Sequence, residues 1–222
     1  MQYFSADFLD FFIELASNNH KEWFDLNRKR YETVIKKPFE VFVTALIATI
    51  KKHDPQLDIT YKDAIFRINR DIRFSKDKQP YKLNRSAIIS SKGKKDKAFP
   101  GLYFEMGPEH FRIYGGVYQP DKEQLYAIRE TLSKDPQILN ELLNAPDFVE
   151  AYGEILGDKN KVLPTEFKSA ALDQPFIYNK QFYWYHTFEA EEILSDDLMK
   201  VMETYYLANK KMMDYFAKAM QV

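Results

Sequence analysis

The chain has 222 residues, of which 45% are apolar and 29% are charged, so its composition is that of a globular protein rather than a disordered or fibrous one. The absence of cysteine excludes disulfides, thiolate metal sites and cysteine nucleophiles, and it fits a reducing compartment. The net charge of −1 gives no overall basic signal for nucleic acid or membranes. No segment has the pattern of a signal peptide or a membrane span, and we therefore expect a soluble cytoplasmic protein.

The first 53 residues have the apolar spacing of helices. The first helix is predicted to begin behind Ser5, which is a good N-cap. The second is predicted to be capped by Asn19, with Glu22 in the capping-box position. Pro38 is predicted to break or kink that helix and to lie in the first turn of a third one, which ends at His53.

The apolar period changes to two between residues 64 and 75, where apolar side chains occupy most even positions and polar ones most odd positions. This alternation predicts an extended, half-buried strand. Further strands are predicted at about 85–91, 102–106 and 110–118, and the last two flank a turn at 107–109. Residues 92–97, which we call the lysine loop, are predicted to form a solvated polar loop.

The second half of the chain is predicted to be mainly helical. Helices are expected to open at Asp121, Pro136 and Pro146, a strand at 181–188, and a long closing helix behind Ser195. Strands joined by short turns, with helices grouped before and after, predict an α+β fold with a mainly antiparallel sheet flanked by N-terminal and C-terminal helices. We expect a single domain over residues 1–222, with N-terminal helices at about 5–53, the sheet core at about 61–118 and a helical C-terminal part at about 121–222.

Basic residues are concentrated in one stretch of this nearly neutral chain. Residues 67–97 contain eleven basic and three acidic residues, a net charge of +8, so the remainder must carry −9. Arg67, Asp71 and Arg73 share strand parity with Ser75, and alternate side chains on a strand line one face about 7 Å apart. Two guanidinium groups held in this way can grip a phosphate or carboxylate, with Asp71 orienting one of them.

The loop that follows adds further polar groups beside these arginines. Lys78, Tyr81 and Lys82 supply ammonium and phenol donors, and Asp77 is a candidate to assist or to bind a divalent ion. Arg70 falls on the apolar face, so it requires a buried partner or a bulge that returns it to the polar side. The predicted ligand-binding set is Arg67, Arg70, Asp71, Arg73, Ser75, Asp77, Lys78, Tyr81 and Lys82.

A long motif in this stretch resembles the signature of an uncharacterised bacterial and fungal family called domain of unknown function 2461. The motif reads Arg67-x-x-Arg70-Asp71-x-Arg73-Phe74-Ser75-x-Asp77-Lys78-x-Pro80-Tyr81-Lys82. Supporting matches are Asn18-Asn19 with Trp23-Phe24, and Gly115-Gly116-x-Tyr118-x-Pro120 with Arg129. The resemblance covers most of the chain and strengthens the choice of residues. It implies no particular reaction, because the family carries no established activity.

Three interpretations of the basic stretch remain open. The first is a site for a small anionic, phosphorylated ligand, in which Arg67, Arg73 and Lys82 converge on an open cleft. The second is a nucleic-acid-binding surface that also uses the lysine loop. The third is a structural network in a protein-interaction domain, in which carboxylates of the acidic helices pair with buried arginines.

The residues predict no catalytic group, cofactor or oligomeric state. The four histidines lack metal-ligand spacing, so no metal site is predicted. The Gly115-Gly116 doublet is typical of a bulge or turn, with an approach of backbone amides to an anion as the alternative.

Overall fold

Four strands form one antiparallel sheet in the part of the chain that the structure describes, residues 1–220. The structure is a computed structural model. Its strands are β1 (Arg85–Ile89), β2 (Leu102–Met106), β3 (Phe111–Val117) and β4 (Phe182–Phe188), which pair in the order β1-β2-β3-β4. The predicted strand at 102–106 is confirmed with both bounds unchanged, and the other three are confirmed with ends displaced by one or two residues. The predicted α+β class is confirmed.

Helices precede and follow the strands along the chain. The α-helices are α1 (Asp7–Ser17), α2 (Lys21–Leu26), α3 (Arg28–Arg30), α4 (Lys37–Ile50), α5 (Tyr61–Ala64), α6 (Lys122–Lys134), α7 (Pro136–Leu143), α8 (Pro146–Ala151), α9 (Ala170–Asp173) and α10 (Leu198–Ala219). Short 3-10 turns lie at Gly93–Lys95, Thr165–Phe167, Pro175–Tyr178 and Ala190–Leu194. The helix starts predicted at residues 121, 136 and 146 are confirmed. Within residues 1–220, none of the helices combines the length and the apolar character that a membrane crossing needs.

The helix does not break before Pro38, but the predicted place of Pro38 in the first turn of the third helix is confirmed. A π-helical stretch at Tyr31–Lys36 continues α3 directly into α4, and Pro38 lies in the first turn of α4. Proline has no N–H to offer the carbonyl four residues back, which disfavours a regular α-helical turn here. The backbone N–H of Lys37 instead donates to the carbonyl of Glu32, five residues back, so the helix widens rather than ends.

The regular strand predicted over residues 64–75 is also wrong. Ala64 is the last residue of α5, and within the described chain the rest of this stretch pairs only through two isolated bridges, Ile65 with Ala87 and Asn69 with Tyr81. The alternation of burial holds through the paired part, since Ile68 is buried while Arg67 and Asn69 are exposed. Residues 70–80 form a loop between Asn69 and Tyr81, the two residues of the second bridge. The period of two therefore predicts the alternation of burial near the bridges, but it does not predict where the pairing with a neighbouring strand ends.

The contacts within the described chain divide it into two compact units. The first comprises residues 1–94, 103–113 and 187–203. Its core is aromatic: the rings of Phe39 and Phe42, both from α4, each lie 5.8 Å from the ring of Phe104 on β2. Phe4 packs on the same helix, with its ring 5.4 Å from that of Phe42. The segment 67–82 belongs to this unit.

The second unit comprises residues 95–102, 114–186 and the chain from Thr204. Its core surrounds Trp184 of β4, whose ring lies 5.4 Å from that of Phe148 and 6.1 Å from that of Phe216. Gly115 lies against this tryptophan, because a Cβ there would be 2.4 Å from the indole Nε1. The glycine doublet therefore provides close packing in β3, which agrees with the structural interpretation rather than with an anion site.

Arg129, which contributed to the family resemblance, has a structural role in the second unit. Its guanidinium is buried and donates from Nε to the carbonyl of Ile177 at 2.9 Å and from Nη2 to that of Asn179 at 3.3 Å. Burial lowers the pKa of Arg129, but an arginine keeps its charge in proteins, and within residues 1–220 the guanidinium has no acidic partner. The side chain thus ties α6 to the turn at Pro175–Tyr178.

Candidate functional site

Residues 67–82, which we call the arginine segment, are folded largely by their own charged side chains. Arg70 is half-buried and donates from Nη1 to Asp77 at 2.5 Å and to the carbonyl of Gln79 at 3.1 Å. The second oxygen of Asp77 accepts the backbone N–H of Gln79 at 2.9 Å. The partner of Arg70 is therefore an exposed carboxylate of the same segment rather than the predicted buried partner, and these bonds close the base of the loop.

Asp71 and Arg73 form a bidentate pair on the polar side of the segment. Nε and Nη2 of Arg73 donate to the two carboxylate oxygens of Asp71 at 2.9 and 2.7 Å. The hydrogen bonds from Arg73 lower the pKa of Asp71, and the nearby positive charge of Arg67 lowers it further. Asp71 thus orients the guanidinium of Arg73, and the charge of Arg67 acts on the same carboxylate.

The ammonium group of Lys78 contributes to the shape of the loop. Its Nζ donates to the carbonyl of Ile72 at 3.0 Å, and the same carbonyl accepts the backbone N–H of Ser75 at 3.4 Å. Asp77, the candidate ligand for a divalent ion, is already bonded to Arg70 and the backbone. Within residues 1–220, no three His, Asp or Glu side chains lie together in a way that could hold a metal ion.

Tyr81 fixes the end of the segment to the N-terminal helices. Its ring is stacked on that of Phe24 from α2, with 4.1 Å between centroids and an interplanar angle of 15°. Burial raises the pKa of the Tyr81 phenol, and the charge of Asp25 adds to the effect. The phenol is therefore protonated at neutral pH, and its ring serves as a packing surface.

Asn19 binds the backbone of Tyr81 on both sides. Its Nδ2 donates to the Tyr81 carbonyl at 3.0 Å and its Oδ1 accepts the Tyr81 N–H at 3.1 Å. The predicted role of Asn19 as the N-cap of the second helix is wrong, because His20 occupies that position and accepts the N–H of Trp23. Two separate parts of the family resemblance, Asn18-Asn19 and the arginine segment, are thus joined by one side-chain amide, a role that spacing along the chain could not indicate.

Phe74 lies where the parity of a strand would not put it. The prediction placed it on the apolar face, but it is 95% exposed. The guanidinium carbon of Arg73 lies 5.8 Å from the centre of its ring, so the two side chains form a cation–π pair at the surface. Strand parity does not predict the exposure of Phe74, because strand pairing ends at Asn69 and the chain bends at residues 73 and 74.

The arginine segment keeps a surplus of positive charge after its internal pairs are formed. It contains six basic and two acidic residues, a net charge of +4. Arg67 and Lys76 are exposed and have no hydrogen-bonded or ion-paired partner within residues 1–220, and the Arg73 side chain is 76% exposed. The third interpretation required buried arginines paired with carboxylates of the acidic helices. The pairs of Arg70 and Arg73 are local instead, and the carboxylates come from the segment itself.

One side chain of the lysine loop, that of Lys94, is hydrogen-bonded to the backbone of the first unit. Lys94 is half-buried, and its Nζ donates to the carbonyl of Ile65 at 3.0 Å and also to that of Lys62. Lys95 and Lys97 line a shallow groove with Gln119 and the first residues of α6, and no residue of the arginine segment lines it. The positive charge of Lys94 is therefore directed into the fold, while that of Lys95 and Lys97 faces a separate groove.

The comparisons with known proteins agree with the resemblance described for the sequence. A family model described as a conserved hypothetical protein, DUF2461, matches residues 7–215. Comparison with curated proteins and with solved structures finds no match for the chain.

Proposed function

The chain belongs to the DUF2461 family of conserved hypothetical proteins, and we propose that it binds a small anionic, phosphorylated ligand through the arginine segment. The observation that supports this proposal most directly is the ratio of charges around Asp71. Arg73 is paired with Asp71, while the exposed guanidinium of Arg67 acts on Asp71 only through its charge, so these three residues keep a net positive charge. Crowded cations without enough carboxylates are unfavourable for the empty fold and favourable for an anion.

The predicted ligand-binding residues divide into two roles in this proposal. Direct contact is assigned to Arg67, Arg73, Lys82 and the hydroxyl of Ser75. Asp71 orients Arg73, and the shape of the loop is maintained by Arg70, Asp77, Lys78 and Tyr81. Because Asp71 uses only Nε and Nη2 of Arg73, the Nη1 side of the guanidinium is directed elsewhere. A guanidinium held in place in this way loses less side-chain entropy when it grips a phosphate.

The proposal predicts that phosphorylated compounds stabilise the protein. Thermal melting is measured with inorganic phosphate, nucleotides and sugar phosphates at constant ionic strength. A ligand at about 100 times its dissociation constant should add about 2.7 kcal/mol to the free energy of unfolding. For a chain of this size each kcal/mol moves the melting temperature by roughly 2–4 °C. The double variant Arg67→Ala/Arg73→Ala should lose this increase.

Arg28→Ala is the matched control, because Arg28 is also an exposed arginine paired with one carboxylate, Asp25, and it lies outside the segment. It should keep the ligand-induced increase. Arg73→Ala without ligand should melt within a few degrees of the parent, since exposed ion pairs contribute little. If no phosphorylated compound raises the melting temperature, or if the double variant responds like the parent, the proposal is wrong.

A second candidate function, binding of single-stranded nucleic acid, is favoured by the exposure of Phe74. An aromatic ring surrounded by cations is the pattern of proteins that stack bases and hold the phosphate backbone. Phe74 with Arg73 at its face has this pattern, and Arg67 and Lys76 add positive charge on the same segment. The acidic remainder of the chain opposes the approach of a long polyanion, so we rank this function second.

Titration with single-stranded DNA and RNA at two salt concentrations tests the second candidate. Binding should weaken steeply as salt rises, with a slope set by the phosphates contacted. Phe74→Ala should reduce the binding free energy by about 1–3 kcal/mol, the typical contribution of one stacked base. Phe99→Ala, an aromatic replacement outside the segment, should leave affinity unchanged. Affinity that does not respond to salt, or equal affinity in Phe74→Ala, rejects this function.

A further inference from the structure

Arg85, the first residue of β1, is a buried cation without an acidic partner. It is 5% exposed, and its guanidinium carbon lies 5.3 Å from the centre of the Phe39 ring. Its Nε is buried without a hydrogen bond, and within residues 1–220 the guanidinium forms neither a hydrogen bond nor an ion pair. Arg85 is one of the eleven basic residues between 67 and 97, and it lies outside the arginine segment.

The titratable groups whose charge acts on Arg85 are Tyr31, in the π-helical stretch, and Glu40, in α4. Burial lowers the pKa of Arg85, and the nearby Tyr31 phenol and Glu40 carboxylate oppose this effect. Burial likewise raises the pKa of Tyr31, and the charge of Arg85 acts in the opposite direction. Tyr31 begins the π-helical stretch, and Glu40 follows one turn into α4. Helical turns of this kind are frequent at functional sites.

An unpaired guanidinium at this depth is unfavourable for the empty protein. Arginine does not lose its proton, so burial cannot be relieved by neutralisation as it is for lysine or histidine. Cation–π contact with Phe39 offsets only part of the lost hydration. An anion that reached the guanidinium would satisfy its donors and would be bound in surroundings of low polarity, where a charge-assisted hydrogen bond is strong.

We propose that Arg85 forms a second anion site, which takes the carboxylate group of a small ligand. The inference does not rest on the function proposed for the arginine segment. One guanidinium offers a single positive charge and a planar fork that matches a carboxylate. The carboxylate of Glu40 already lies near, so a phosphate dianion would bring more negative charge than Arg85 balances. The ring of Phe39, which is buried beside the guanidinium, provides an apolar surface next to the site.

Thermal melting with sodium formate, acetate and benzoate tests the site, with sodium chloride at the same ionic strength as the reference. The parent protein should show a saturable increase in melting temperature with at least one carboxylate. Arg85→Met, which replaces the buried charge by an apolar chain of similar length, should lose the increase. This variant is expected to fold, because replacing a buried charge by a well-packed apolar residue is often neutral or stabilising. Arg67→Ala/Arg73→Ala should keep the increase, which separates this site from the arginine segment.

Two further variants keep the inference falsifiable if Arg85→Met is poorly folded. Arg85→Lys retains the charge but loses the fork, and it should weaken carboxylate binding by about tenfold or more. Glu40→Gln removes the competing negative charge and should strengthen binding severalfold. A parent protein that responds to carboxylates no more than to chloride overturns the inference. So does an equal response in Arg85→Met, or a Glu40→Gln variant that is strongly destabilised and binds no carboxylate, since Glu40 would then be the partner of Arg85.

Discussion

Replacement of Gly116 by alanine is expected to destabilise the protein by about 3–5 kcal/mol, through backbone strain together with steric overlap. Gly116 lies in β3 with a φ of +107°, which side chains other than that of glycine rarely adopt. A Cβ there would also lie 2.1 Å from the carbonyl oxygen of Phe182 on β4. A carbonyl within a sheet cannot move aside cheaply, so the two strands would have to separate. Urea unfolding followed by fluorescence reports the loss, because Trp184 is fully buried on β4.

Gly153→Ala is the control that separates strain from overlap. Gly153 also has a positive φ, +82°, but a Cβ there would meet nothing within 4 Å. Its replacement should therefore lower the free energy of unfolding only by the backbone strain of a positive φ, about 1–2 kcal/mol. If Gly116→Ala is no less stable than Gly153→Ala, the close approach of β3 and β4 does not matter to the fold.

The elements that could be predicted from the sequence are those specified by local chemistry. The capping box of Asp121 with Gln124, and the prolines that open α7 and α8, depend only on neighbouring residues, and the structure confirms them. Both ends of strand β2, residues 102 and 106, are predicted correctly. The π-helical stretch was not predicted, because the sequence offers Pro38 as a break and gives no indication that the turn before it would widen instead.

The sequence predicts which segment carries the candidate site, but it does not predict how the side chains of that segment are arranged. The excess of basic residues between 67 and 82 could be read from the sequence, whereas the pairing of Arg70 with Asp77 depends on how the loop closes. The exposure of Phe74 and the burial of Arg85 were missed for the same reason. Parity assigns each side chain to a face, but it does not say where a partner strand ends or which helix covers the face.

Asn19 illustrates a contact that determines the position of the arginine segment and has no local signal. At the bridge between Asn69 and Tyr81, the backbone hydrogen bonds run from Arg70 to Pro80 and from Lys82 to Ile68. The N–H and carbonyl of Tyr81 consequently point away from this partner, and the amide of Asn19 binds both. The side chain thus acts as a short substitute for a neighbouring strand.

Asn19→Ala should therefore lower the free energy of unfolding by about 2–4 kcal/mol, because two partly buried backbone groups of Tyr81 lose their partner at once. Asn18→Ala is the matched control. Asn18 donates one exposed hydrogen bond, to the carbonyl of Glu14, and its replacement should cost less than about 1 kcal/mol. Urea unfolding measures both losses, and hydrogen exchange measures the protection of the Tyr81 amide, which should fall in Asn19→Ala alone. Since the arginine segment ends at this contact, Asn19→Ala should also weaken the response to phosphorylated ligands while every cation remains present. Equal stability of the two variants, with the Tyr81 amide still protected, would show that the stack of Tyr81 on Phe24 holds the segment without the amide.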